Sequence, residues 1–386
     1  MFGWTKNASV VEHRIGDNTN IVRSVGLTDK HHGAAALRSV KEQTLETPYT
    51  ELTTQDQRWE LMNSTCLEMQ TFYVTTDDGT IAIIDVVYSN VLNLKTTVQF
   101  NVKIFYGDES KPHLWNTDVL SDFEFVNEQC DLVSGKCSIK LVGQTYTIKS
   151  TVNEACTVDL SFSQLAPGFK VGRDGTSTFG AKKANGKVKH TFWPRVKVEG
   201  TMTTREGCMD MKGIGTFVHS LQGIKPHFAA AKWNFANFQS PTYSAVSMEY
   251  TTPPSYDNSV VSVGGLAING KVVIANANSS TTHTSVALDP ESNLQEPKSI
   301  THTWSGTSSD GKEISAEIKA VFPARRRDRI DVFDEVPKFL KGIVAAATGI
   351  RPYIYQNAVD ATLVVNEGGA VKSVPGRLMC EVVFMS

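Results

Sequence analysis

No stretch of this chain approaches the ~20 consecutive apolar residues that a membrane-spanning helix needs. A secretory leader is missing too, because Met1 to Gly16 carries scattered apolar residues rather than a continuous block. Phe2 stands where N-myristoylation requires glycine, and the final C-E-V-V-F-M-S is no prenylation site. The formal net charge is −2, which gives no footprint for nucleic acid. The six cysteines include no C-x-x-C pair, so neither zinc nor a redox dithiol is indicated. Cys130 and Cys137 flank a turn and can face each other, but free thiols are the expectation. There is no G-x-S-x-G, no H-E-x-x-H and no phosphate loop, and Gly213-Ile214-Gly215 lacks the third glycine. These absences lead to an expected soluble, intracellular protein with no metal and no cofactor.

What is present is strand-like alternation. In Thr97 to Phe105, Val98, Phe100, Val102 and Ile104 share one face, with Gln99, Asn101 and Lys103 opposite. Val158, Leu160 and Phe162 alternate with polar residues, as do Ile314, Ala316, Ile318, Ala320 and Phe322. Period two predicts half-buried antiparallel strands. Asp78-Gly79, Asn269-Gly270 and Asp310-Gly311 each separate two such runs and suit tight hairpins. Short strands in long succession predict barrels or sandwiches. One helix is expected from Val336 to Thr348, where Val336, Phe339, Leu340, Ile343, Val344 and Ala347 keep helical spacing. The run Arg325-Arg326-Arg327 reads as a solvated loop beside Asp328 and Asp331.

With 386 residues the chain is long enough for two domains. Gly223-Ile224-Lys225-Pro226 breaks one run of strands and another begins near Ala229. The expected division is a leader over 1–46, a first barrel over 47–223 and a second over 224–386. The leader lacks clear periodicity and is expected to lie outside any core. Met1, Phe2 and Trp4 give it apolar groups for contact with a membrane surface, although Gly3 disfavours a helix there.

Several segments carry a resemblance. They include T-P-Y-T-E-L-T at Thr47, M-Q-T-F-Y at Met69, H-T-F-W-P-R at His190 and L-Q-G-I-K-P-H at Leu221. Further on come A-A-A-K-W-N-F-A-N-F-Q-S at Ala229, Y-S-A-V at Tyr243, R-I-D-V at Arg329 and P-Y-I-Y-Q at Pro352. In this order, over nearly everything after Thr47, they resemble the fungal survival factor 1 family. The resemblance implies two tandem lipocalin-like antiparallel β-barrels, mainly β, with the one amphipathic helix in the second. It implies a non-enzymatic role, carrying ceramide from the endoplasmic reticulum to the Golgi and supporting survival under oxidative stress. It also implies a cytoplasmic protein held peripherally and reversibly on those membranes, with the nucleus left open as a further compartment. Phe228 stands where the family commonly has a second histidine after K-P-H.

A ceramide has two long chains, and at about 0.8 kcal/mol per methylene its escape into water is prohibitively slow. Its carrier needs an apolar cavity, at least partly at the junction between barrels. Its neutral amide and hydroxyls call for uncharged partners. His190 shares a face with Val188 and Phe192, and His302 with Ile300 and Trp304. Both histidines are candidate headgroup ligands, with satisfied structural histidines as the plainer role. Trp193, Trp233 and Trp304 are candidate cavity walls, with core packing as the plainer role. The other function in view is a lipocalin-like enzyme of pericyclase or hydratase type, which needs only shape and a few hydrogen bonds. K-H-T-F-W at Lys189 and T-H-T-W at Thr301 hint at a duplication. Oligomeric state is not readable from the sequence.

Overall fold

The computed structural model describes residues 31–91, 95–180, 185–324, 326–332 and 352–385. Met1, Phe2 and Trp4, and the helix expected from Val336 to Thr348, lie outside them.

Alternation produces two curled antiparallel sheets, mainly β throughout and lipocalin-like. The first runs Leu114–Val119, Lys95–Phe105, Ile81–Val91, Cys66–Thr76, Gly213–Gln222, Gly186–Thr204, Cys156–Gln164, Thr145–Asn153, Cys137–Val142, Asp131–Ser134, Glu124–Val126. The second runs Lys271–Asn276, Val260–Ile268, Tyr243–Thr251, Lys232–Gln239, Ala370–Phe384, Tyr353–Glu367, Glu313–Val321, Leu294–Thr307, Ser280–Asp289. Both follow one circuit, in which the last strand returns beside the first long one. Across the curl, Asn153 donates to Asp118 in the first sheet and Asn276 to the Ser305 carbonyl in the second. Hairpins are set locally. Asn269 and Gly270 both take positive φ, the type I′ geometry that Asn-Gly favours.

Each sheet wraps an apolar interior. Val98, Phe100, Val102, Ile104, Val158, Leu160 and Phe162 fill the first, and Ile314, Ala316, Ile318 and Ala320 the second. A third core lies between the barrels, where the outer faces of both meet. Tyr73, Ile83, Phe105, Phe192 and Val218 of the first pack there with Trp233, Phe235 and Met379 of the second. The strand Lys95–Phe105 is therefore buried on both faces. Asn101 and Lys103, expected to face water, are buried at this seam.

The sequence segments H-T-F-W-P-R and N-F-Q-S meet at the same seam. Arg195 donates to the carbonyls of Ser240 and Pro241 and to the Ser244 hydroxyl. Gln239 donates to the Pro194 carbonyl and to Thr216, which donates in turn to Asn237.

Some expectations change. Residues 34–45, read as part of a leader outside any core, instead dock. Leu37–Arg38 pairs with Thr176–Phe179, and Ala36, Leu37 and Val40 are buried in the seam core. These residues form short 3₁₀ turns with one two-residue strand, which leaves no periodicity to read. Arg326 and Arg327 are not solvated. Arg326 pairs with Glu296 at 2.7 Å, and Arg327 reaches Glu109 of the first barrel at 3.0 Å, because the local chain turns them toward carboxylates distant in sequence. The two similar segments sit on non-equivalent strands. His190 is one strand from its closing strand and His302 is three from its own, so the likeness marks no structural repeat. All six cysteines are free, and only Cys208 is exposed.

Candidate functional site

The five residues named from the sequence occupy three separate places. Trp193 lies inside the first barrel, 5.1 Å from Tyr146 and 5.3 Å from Phe217 between ring centres. His190 and Trp233 meet at the seam, edge to face at 5.8 Å. His302 and Trp304 lie inside the second barrel. All five are buried, and no single pocket gathers them. His302 is 0% exposed, and both ring nitrogens are engaged, by Thr281 at 3.0 Å and by the Cys380 sulfur at 3.4 Å. Burial pushes its pKa down to about 3 and that of His190 down to about 4, so both rings are neutral. The Trp304 indole donates to the Val246 carbonyl at 3.0 Å.

The richest polar chemistry lies in the first barrel, on residues not singled out from the sequence. Three neighbouring strands, Cys66–Thr76, Gly213–Gln222 and Gly186–Thr204, present inward rows in register. Phe72, Phe217 and Trp193 form an aromatic row. The next row is Gln70, His219 and Thr191, and the next is Glu68, Leu221 and Lys189. The wall therefore grades from aromatic, through polar, to a row with two charged residues. Inward polar residues on a strand that also carries Phe72 and Val74 were the available signal.

A strap covers this end. It runs from Leu52 to Thr65 and holds a single 3₁₀ turn, Thr54–Gln57, closed by a capping box between Thr53 and Asp56. It sends Gln57 and Trp59 inward, both buried. The Trp59 ring packs 5.6 Å from His219 and 5.2 Å from Phe125. Gln57 accepts from Gln70 through its carbonyl and from Tyr146 through its side chain. Glu68 accepts from the backbone N–H groups of Glu60 and Leu61 and lies 2.9 Å from His219 Nε2. Outside, Glu60 pairs with Lys187 and Lys189. Burial raises its pKa, but the two lysines outweigh that and hold it below the usual range.

Not every polar atom in this region is satisfied. Gln70 Oε1, Thr191 Oγ1, Trp59 Nε1 and Trp193 Nε1 are buried without a hydrogen-bond partner. A small void of about 10 Å³, lined by Glu60, Glu68, Lys189, Thr191, His219 and Leu221, leaves room for roughly one water. A second void of about 490 Å³ opens beside Asp77, Asp78, Glu109, Asp360 and Arg377. Its charged lining does not suit an apolar ligand.

A further set of titratable groups bridges the seam. Lys103, fully buried, pairs with Asp328 of the second barrel, and Tyr73 donates to Glu381 at 3.4 Å. Burial pushes Asp85 up to about 7, helped by the nearby Glu381, while Asn101 and Lys103 pull the other way. Among the described residues, no cluster of three or more His, Cys, Asp or Glu forms a metal site.

The family profile described as the Svf1 family matches residues 17–386. Ceramide-binding protein svf-1 of Neurospora crassa is 46% identical over 368 residues, covering 94% of this chain and 96% of that protein. Ceramide-binding protein svf1 of Aspergillus fumigatus is 47% identical over 350 residues, covering 90% and 87%. Among solved structures, that of CghA with Sch210972 matches with a TM-score of 0.61 at 11% identity, over 91% of this chain and 98% of that one, which shows the fold alone. The profile spans both barrels and the segments that build the seam between them, and this chain belongs to the Svf1 family.

Proposed function

We propose that this chain binds ceramide and carries it between membranes without altering it. The observation that carries the reading is a polar row with unpartnered Gln70 and Thr191 atoms inside an aromatic barrel, in a chain 46% identical over 94% of its length to a protein named for ceramide binding. A lipid with two chains and an uncharged amide headgroup needs both features. Trp193 belongs to the floor of that row. His190 and Trp233 at the seam, and His302 and Trp304 in the second barrel, are the remaining candidates for lipid contact.

The resemblance supports a route from the endoplasmic reticulum to the Golgi, with survival under oxidative stress as its cellular consequence. It also supports a cytoplasmic protein that docks reversibly on those membranes. Met1, Phe2 and Trp4 supply the apolar groups for docking, too few for stable anchoring.

The test is transfer between liposomes. Donor vesicles containing a ceramide should lose it to acceptor vesicles in proportion to added protein, with its mass unchanged. A chemically altered product formed with turnover would favour the lipocalin-like enzyme instead.

A further inference from the structure

We propose that Gln70, His219 and Thr191 form the headgroup site of the first barrel, taking the secondary amide and hydroxyls of a sphingoid lipid, and that Trp59 is a plug on a movable strap that holds the site closed. This rests on the carrier reading above.

Unpartnered atoms are the first ground. A buried donor or acceptor left unmade costs free energy, so such atoms are few in folded proteins. Here Gln70 Oε1 and Thr191 Oγ1 belong to one row, on either side of His219, and both residues are at most 1% exposed. Gln70 offers an acceptor and Thr191 a hydroxyl that both donates and accepts. An amide N–H, an amide carbonyl and a hydroxyl are their complement. Neither side chain carries charge, which suits a neutral headgroup.

The strap is the second ground. Trp59 lies over His219, yet its own indole N–H has no partner, so packing alone holds the ring there. Leu61, two residues on, sits at φ 48°, a left-handed conformation rare for leucine. The Trp59 N–H of the backbone donates to the Gln129 carbonyl. That loop is strained in the same sense, with Asn127, Glu128 and Gln129 all at positive φ. The strap is pinned by polar contacts that water can replace: Glu68 on its backbone, Lys187 and Lys189 on Glu60, Lys170 on Asp56, Arg58 on Glu128, and Gln57 with Gln70 and Tyr146. With room for only about one water beneath, the described conformation is the closed one, and a lipid enters when the strap leaves.

Two lipids separate headgroup recognition from apolar capture. Full-length protein is incubated with phosphatidylcholine vesicles containing either a ceramide or a diacylglycerol of matched chains, then separated, and its retained lipid is quantified by mass spectrometry. Wild type should prefer ceramide. The Gln70→Leu, Thr191→Val double variant should lose about tenfold of that preference, with diacylglycerol retention falling by much less than ceramide retention. Its melting temperature should fall only slightly, since Gln70→Leu removes an unsatisfied acceptor together with the Nε2 bond to the Gln57 carbonyl, and retention is read on the folded protein. Thr191→Val alone, nearly isosteric, should lose about threefold. Ceramide should also raise acrylamide quenching of tryptophan in wild type but not in Trp59→Phe. Wild type that retains no ceramide overturns the carrier reading together with this site. Ceramide retained equally by wild type and the double variant, or a selective loss seen instead in His302→Leu, overturns the site and leaves the carrier reading standing. Quenching that does not depend on Trp59 overturns the plug.

Discussion

The Glu68 carboxylate and the His219 ring, on adjacent strands of the first barrel, meet at 2.9 Å, and the same carboxylate holds two backbone N–H groups of the strap. One buried acceptor thus fixes a wall residue and the cover above it. Glu68→Leu should leave three donors without partners and lower stability by roughly 3 kcal/mol, whereas Glu68→Gln keeps one acceptor and should cost about half. Urea unfolding of both variants checks the order. Equal losses would mean that packing rather than hydrogen bonding sets the contribution.

The barrels are clasped by Arg195. Its guanidinium fork reaches two carbonyls and a hydroxyl near the start of the second barrel, all across the seam. Arg195→Met should destabilise by about 2–4 kcal/mol, and Arg195→Lys by nearly as much, because an ammonium cannot reproduce the fork. Calorimetry on the two variants decides. A lysine variant as stable as wild type would make charge alone sufficient.

Much of this was legible beforehand. Alternation around Val98 to Ile104 and Val158 to Phe162 found the inner faces, and Asn269-Gly270 a hairpin. Period two marks one face as apolar but does not say whether the other meets water or a second barrel. That is why Lys103 was placed in solvent and is buried. Trp193 stands out in the sequence because aromatic residues advertise themselves. Gln70, His219 and Thr191 do not, because their significance depends on register across three strands, which no local pattern encodes. The strap was invisible for a simpler reason, since a segment with one 3₁₀ turn has no periodicity.

Seam carboxylates make stability depend on pH in an unusual direction. Burial raises Asp85 to about 7, above its unfolded value near 3.9. The folded state then binds the proton more tightly, so this contribution is full in acid and is lost as pH rises through about 7. Glu381 is shifted the same way, first by burial. Asp85→Asn removes the dependence and keeps a partner for Asn101. Relative to wild type it should gain on the order of 1–2 kcal/mol between pH 5 and pH 8, a figure reduced because Asp85 keeps partial exposure. Unfolding free energies at both pH values test this, and parallel curves would refute it.

The proposed function makes membrane docking separable from lipid binding. Removing residues 1–16 should release the protein from Golgi and endoplasmic-reticulum membranes while leaving ceramide retention in solution intact. Fractionation of cells expressing the truncated chain gives the answer, and truncated protein that stays on membranes would move the docking surface elsewhere.

The most direct measurement of the central claim is native mass spectrometry of the full-length protein purified from cells, followed by identification of any lipid it releases. The carrier account predicts about one intact ceramide per chain, since one barrel interior holds a single ligand. Protein that emerges without sphingolipid, or with a chemically modified product, would contradict it.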